Sequence, residues 1–210
     1  MKKFLEHVTQ EEMNALIQVA PTPKDWEKIE SLSRIFTVGL DEIGLPDPPE
    51  NYSKETENEI IDLYENWSTG DIELYRKYDK AFTDDFYELS EGTISLEEFE
   101  FYSNEVAKVV HHFKFKWNRP RPERLAPYYG IPLKKNVTIT GTTPAYPSGH
   151  SAQSRFIALY ASQKDPSRAV SYMKLAEDVG TSRLVGGVHY PSDHESGKIL
   201  AEMLFGALKS

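Results

Sequence analysis

The 210-residue sequence predicts an all-α protein, a helical bundle, on three observations. Apolar residues recur three and four positions apart over long stretches, capping residues stand ahead of those stretches, and β-branched runs are nearly absent. Helices that each bury one apolar stripe must pack against one another, and a bundle satisfies them all.

The elements follow in order. Thr9 and Glu12 have capping-box spacing, and Met13, Leu16, Ile17 and Ala20 mark one buried face. Thr22 ahead of Pro23 caps the next helix, whose face is set by Ile29, Leu32, Ile35 and Phe36. Pro46, Pro48 and Pro49 make the stretch from Gly44 to Ser53 a link with no domain boundary in it. Ile60, Leu63, Tyr64 and Trp67 define a third face. Further helices are expected over Asp71 to Leu89, Ser95 to Phe115, Gly149 to Ser162, Pro166 to Thr181 and Pro191 to Leu208. Ser95 with Glu98, and Asp165 ahead of Pro166, supply caps for two of these. The run Val137 to Thr143 reads as an extended loop. A single domain is expected over 1–210. Its motif-bearing core is 95–210, and the helices of 1–94 supply packing, a lid or an oligomer interface.

A hydrophobic content of 39% over this length is enough for a substantial core. The formal net charge of -9 argues against nucleic acid or an anionic membrane as partner, because both reward a basic surface. Without cysteine there is neither disulfide nor thiol chemistry. Glu6, His7 and Gln10 interrupt the apolar run that a secretory signal needs, and tracts such as Phe156 to Ala161 are far short of the roughly 18 residues of a membrane span. A cytoplasmic protein without a membrane span is the expectation.

Three segments carry chemistry. The first, Lys114 to Pro122, ends a long helix at Pro120 and Pro122 and concentrates cations against the overall charge. Of its two Arg-Pro pairs, only Arg121 has a lysine seven positions earlier, Lys114. Arg119 is expected to be a neighbour or a surface charge. The second, Pro147-Ser148-Gly149-His150, reads as a turn feeding a helix N-terminus, where free N–H groups favour an anion; it also reads as a simple cap by Ser148. In the third, Arg183 lies six positions before His189 and Asp193 four after it. Asp193 can accept from one ring nitrogen of His189, fix its tautomer and leave the other nitrogen as a nucleophile; taken alone, such a pair is as readily a surface contact or a cap. Charge that spreads over phosphoryl oxygens needs several convergent cations, for which Lys114, Arg121 and Arg183 are the candidates. His111 and His112, just before Lys114, could line the pocket or cover its exterior, with packing or solvent the expectation; His7 is expected on the surface, and His194 to point about 100° away from Asp193 around the helix axis.

Taken together, the segments resemble the signature of the superfamily of type 2 phosphatidic acid phosphatases, bacterial non-specific acid phosphatases and vanadium haloperoxidases. That signature is Lys-x6-Arg-Pro, Pro-Ser-Gly-His and Ser-Arg-x5-His-x3-Asp, and each of its positions is present here in order. The resemblance covers Ser95 to the end. It implies that Lys114, Arg121 and Arg183 bind phosphate, with Ser148 and Gly149 adding hydrogen bonds. It further implies that His189, oriented by Asp193, forms a phosphohistidine while His150 protonates the leaving oxygen. A small phosphorylated substrate is then the partner, and hydrolysis needs no metal. Vanadate enters as an inhibitor or, in the haloperoxidase alternative, as a cofactor. A helical protein that only binds phosphate is the non-enzymatic alternative. Chain length places the phosphatase ahead of the haloperoxidase.

Overall fold

The computed structural model describes residues 15, 17–31, 33–79, 81–134, 136 and 140–209. Among them the chain is all-α: α1 (Pro23–Glu30), α2 (Lys54–Asp62), α3 (Ile72–Tyr78), α4 (Thr83–Leu89), α5 (Leu96–Trp117), α6 (Pro122–Tyr129), α7 (Gly149–Lys164), α8 (Ala169–Val185) and α9 (Pro191–Gly206). The only β pairing among the described residues is an isolated antiparallel bridge between Phe36 and Leu208. Thr9, Glu12, Met13, Leu16, Leu32 and Val137, named in the sequence expectations, lie outside the described residues, as does His7.

The bundle is organised around α7. Ser151, Ala152, Ser154, Ala158 and Ala161 let neighbouring backbones approach it, while Phe156 and Ile157 fill the space between. A helix buried on most of its circumference must be flanked on several sides, and α5, α8 and α9 all pack against it. The main core joins Val106, Val109, Val110 and Phe113 of α5 to Phe156 and Ile157 of α7, Val179 of α8 and Leu200 and Leu204 of α9. A second cluster, with Ile60, Leu63, Leu125, Ala126 and Leu184, seats α2 and α6 against α8.

The caps form as their residues dictate. Thr22 accepts from the Asp25 N–H, and Asp25 reaches back to the Thr22 N–H, closing a capping box around Pro23. Ser95 accepts from the Glu98 N–H, and the Asp165 side chain from the Ser167 N–H ahead of α8.

Four expectations require correction. The helix from Thr22 ends at Glu30, because Ile35 and Thr37 pair instead with Lys209 and Ala207 near the C-terminus, which places Phe36 in the core from extended backbone. Tyr64 is exposed although Leu63 is buried: a π-helical turn over Leu63–Trp67 widens the helix and rotates Tyr64 off the apolar stripe. The helix expected over Asp71 to Leu89 is two, since Asp79 leaves the helical ladder to meet Arg183 and Phe82 adopts φ -140°. Finally, the long helix ends at Trp117, with Asn118 in the left-handed region ahead of both prolines, and Pro122 starts a helix instead of ending one. It is the first residue of α6, which stops at Gly130 in the left-handed region (φ 72°), the proline-first and glycine-last signature of a short helix.

Candidate active site

The sharp end of α5 sets the first part of the site. Asn118 takes φ 46°, which asparagine tolerates better than most residues, and its side chain is held by hydrogen bonds with the backbone of Val19. The chain then turns so that Arg119 and Arg121 diverge. Arg121 points into a cavity of about 660 Å³ whose wall also includes Lys114, Gly149, His150, Arg183 and His189. The three segments separated in sequence thus meet at one concavity, formed by the end of α5, the first turn of α7, the last turn of α8 and the loop before α9.

Lys114 and Arg121 are anchored by backbone carbonyls and Arg183 by side chains. Lys114 Nζ donates to the carbonyls of Pro144 (2.6 Å) and Ala145 (3.1 Å), which leaves a third proton for the cavity. Arg121 donates through Nε to the Thr143 carbonyl (2.8 Å) and through Nη1 to that of Val188 (2.6 Å). Arg183 Nη2 donates to Asp79 Oδ1 (2.9 Å) and Thr140 Oγ1 (3.1 Å), with its guanidinium 4.8 Å from the centre of the Tyr75 ring. Gly186 permits that stacking: a Cβ there would lie 2.2 Å from the Tyr75 ring.

His189 is buried, and its two ring nitrogens have different surroundings. Nδ1 donates to Asp193 Oδ2 at 3.1 Å, while Nε2 lies 2.9 Å from Arg121 Nη1, from which it accepts. That pattern fixes the tautomer with the proton on Nδ1 and turns the Nε2 lone pair toward the cations. Asp193 is itself over-determined, since it also accepts from the Tyr190 N–H (2.9 Å) and from Arg119 Nη1 (2.7 Å). Burial raises the Asp193 carboxyl, and Arg119 with the Tyr190 N–H pulls it back toward the ionised form.

Burial and positive neighbours dominate the electrostatics. Burial takes His189 well below the ordinary histidine range, and Arg121, Lys114 and Arg183 add to the depression. Burial also depresses His150, with Arg183 next in effect; the ring sits 5.8 Å from that of Phe82. Lys114 is lowered by burial and then by Arg121, and Arg121 falls to about 10 by burial, opposed by Asp193. These groups all gain from an incoming anion, which would compensate the converging positive charge.

Ser148 does not line the cavity. It is fully buried, and its Oγ meets the N–H and the hydroxyl of Ser151 at 3.4 and 2.9 Å, as a cap of α7. Gly149 does border the cavity. Gly197 of α9 allows the close approach behind this turn, for a Cβ there would stand 2.6 Å from the Ser148 carbonyl oxygen.

Of the two places expected for Arg119, a neighbour of the site or a surface charge, the structure shows the first. Only 1% exposed, Arg119 bridges Asp193 and Glu59 of α2, each at 2.7 Å, and its guanidinium lies 3.8 Å from the Tyr190 ring centre. Glu59 also accepts from the Ser192 N–H (2.7 Å). Its sequence context, an acidic residue on an amphipathic helix, carries no sign of this role. The Arg-Pro pair at Arg119 was the available signal. His194, though turned from Asp193, is buried: Ser151 Oγ and His194 Nδ1 are 2.8 Å apart, and its Nε2 donates to Glu177 (3.1 Å). Of the two places weighed for His111, the structure shows the pocket and not its exterior, since the residue lines the cavity. The residues before Ser95 contribute directly, with Glu59 and Asp79 holding two arginines and Lys24, Asp25 and Lys28 of α1 forming cavity wall.

Comparison with known proteins follows the same segments. A model of the PAP2 superfamily matches residues 102–209, just over half of the chain. A non-specific acid phosphatase of Salmonella typhi is 36% identical over 66 residues, which is 31% of this chain and 26% of that protein. An acid phosphatase of Zymomonas mobilis is 34% identical over 95 residues, 45% of this chain and 36% of that one. The chain therefore matches well under two thirds of either relative. The crystal structure of a bacterial vanadium-dependent iodoperoxidase superposes with a TM-score of 0.62 at 18% identity, covering 99% of this chain and 63% of that one, a likeness of fold. Among the described residues no helix is long and apolar enough to cross a membrane.

Proposed function

The chain belongs to the PAP2 superfamily, and from that premise we propose that it hydrolyses small phosphomonoesters through a phosphohistidine. The observation that carries the reading is the pair of bonds at His189: Nδ1–H to Asp193, and an Nε2 lone pair directed at Arg121 on the cavity wall. The acid phosphatases among its relatives support it further.

In the first step the substrate phosphoryl group enters between Lys114, Arg121 and Arg183, and Arg121 Nη1 exchanges His189 Nε2 for a phosphoryl oxygen. The Nε2 lone pair forms the N–P bond as the ester P–O bond breaks, and His150 gives its proton to the departing oxygen. Asp193 stabilises the positive charge that develops on the ring. In the second step neutral His150 takes a proton from water. The water oxygen bonds to phosphorus, the N–P bond breaks and its electron pair returns to Nε2, so inorganic phosphate leaves and both histidines are restored. The Gly149 N–H, in the first turn of α7, adds a donor for the transferred group. Three side-chain cations supply the charge that a metal supplies elsewhere, and no step as written needs one.

The test is hydrolysis of a chromogenic phosphomonoester in the presence of a chelator, beside the His189→Ala variant. Turnover by the parent chain and its loss in the variant are expected; equal rates would overturn the mechanism. Halide oxidation with vanadate and peroxide, measured in parallel, separates the haloperoxidase chemistry, for which turnover without phosphoester hydrolysis would reverse the assignment.

A further inference from the structure

The cavity extends beyond the catalytic groups to the side chains of α1. Lys24 and Lys28, one turn apart on that helix, both line it, and α1 packs against α5 beside them. Five cations border the space, Lys24, Lys28, Lys114, Arg121 and Arg183, against two carboxylates, Asp25 and Glu100, in a chain whose net charge is -9. One of those carboxylates is already engaged: Asp25 Oδ2 accepts from the Thr22 N–H (2.9 Å) and hydroxyl (2.6 Å) in the capping box of α1. Its other oxygen lies 3.8 Å from His111 Nε2. His111 adds no charge near neutral pH, because burial and then Lys28 lower it to about 4. Neither Lys24 nor Lys28 forms an ion pair among the described residues.

A phosphoryl dianion held by Lys114, Arg121 and Arg183 leaves the two outer lysines without an ion-pair partner among the described residues, with Asp25 acting on Lys28 only from beyond contact distance. We infer that Lys24 and Lys28 form a second anion subsite, and that the preferred substrates are phosphomonoesters whose leaving group carries a further phosphate or carboxylate. The geometry orders the two ends. The inner anion is the one transferred, next to His189, and the outer anion is bound and released with the alcohol. Lys28 is half-buried and has Lys24 as a like-charged neighbour, and both conditions are relieved when an anion binds between them. The substrate assignment rests on the phosphomonoesterase reading, whereas the subsite itself does not require turnover.

Binding of non-hydrolysable probes tests it. Calorimetry would compare alkyl monophosphonates with alkane-α,ω-bisphosphonates over spacers of two to six carbons. Charge-assisted contacts predict that the best bisphosphonate binds about tenfold tighter or more, beyond the statistical factor of about two. In the Lys24→Gln/Lys28→Gln double variant the preference should fall to about that statistical factor. Equal affinities in the parent chain, or a preference that survives in the variant, would overturn the subsite. Hydrolysis of the matching mono- and bisphosphates keeps the two readings apart. Bisphosphonate preference without any turnover refutes the hydrolase reading alone, and turnover without preference refutes the subsite alone.

Discussion

Arg119 Nη1 donates to Asp193 Oδ1 at 2.7 Å, in a place where neither side chain is more than 1% exposed. The contact joins the motif at the end of α5 to the motif at the start of α9, and through Asp193 it reaches His189. The carboxylate that orients the proposed nucleophile is thus itself oriented by a cation outside the cavity wall, with Glu59 of α2 behind it.

Removing that cation should cost both stability and rate. Arg119→Ala leaves Asp193 and Glu59 as uncompensated charges, one fully and one largely buried, and a broken buried pair costs about 3–5 kcal/mol. Urea denaturation should show a loss of that order. Arg119→Lys should recover part of the stability but less of kcat, since one ammonium cannot span both carboxylates as the guanidinium does.

The two histidines should separate by leaving group. His189→Ala is expected to lower kcat by at least about 10³-fold on every phosphomonoester, because no bond to phosphorus can form. His150→Ala should lose about 10²–10⁴-fold on alkyl phosphates and much less on p-nitrophenyl phosphate, whose leaving oxygen needs no proton. Similar losses on both substrates would remove His150 from the role of acid.

The pH dependence follows from the direction of the histidine shifts. With its pKa held below the ordinary 6.5, His189 stays neutral and nucleophilic well into the acid range, so the acid limb of kcat/KM should lie below that of an ordinary histidine. The proton for the leaving group resides on His150, also depressed, or on the phosphoryl group, whose second pKa is about 6. Therefore kcat/KM should fall as pH rises above about 6. Stability has the opposite sign. The unfolded chain takes up protons at these histidines below pH 6.5 while the fold does not, so stability should decline as pH falls from there toward the folded-state values. Saturating inorganic phosphate should oppose the decline, which thermal melts at pH 7 and pH 5 would register.

Orthovanadate should inhibit more tightly than phosphate, because a five-coordinate oxyanion resembles the phosphoryl transition state between His189 and the leaving oxygen. His189→Ala should abolish most of that difference. Equal inhibition of parent and variant, measured by competition at fixed substrate, would argue against direct attack by His189.

Gly197 should not accept alanine. The added Cβ would lie 2.6 Å from the Ser148 carbonyl oxygen and 2.9 Å from the Ser151 Cβ, so α9 must move away from the first turn of α7. Overpacking of this kind costs about 1–3 kcal/mol. Both the melting temperature and the rate should drop, since the displaced turn carries Gly149 and His150.

The sequence by itself determined the all-α class, the helices that carry the motifs, and the identities of the cavity groups Lys114, Arg121, Gly149, His150, Arg183 and His189, together with the pairing of His189 with Asp193. These were readable because periodicity, caps and short spacings are local: Asp193 is one helical turn from His189, and Ser95 is three positions from Glu98. Only the tertiary structure decided where Arg119 goes: the chain leaves α5 through the left-handed turn at Asn118, and Arg119 lies buried behind the cavity wall against Asp193 and Glu59. It also decided that Ser148 turns inward as a cap and that Tyr64 rotates outward at a widened turn. The contributions of Glu59, Asp79 and the lysines of α1 could not be read locally, because each meets its site across a long loop closure, and an acidic or basic residue on a helix face carries no mark of what will pack above it.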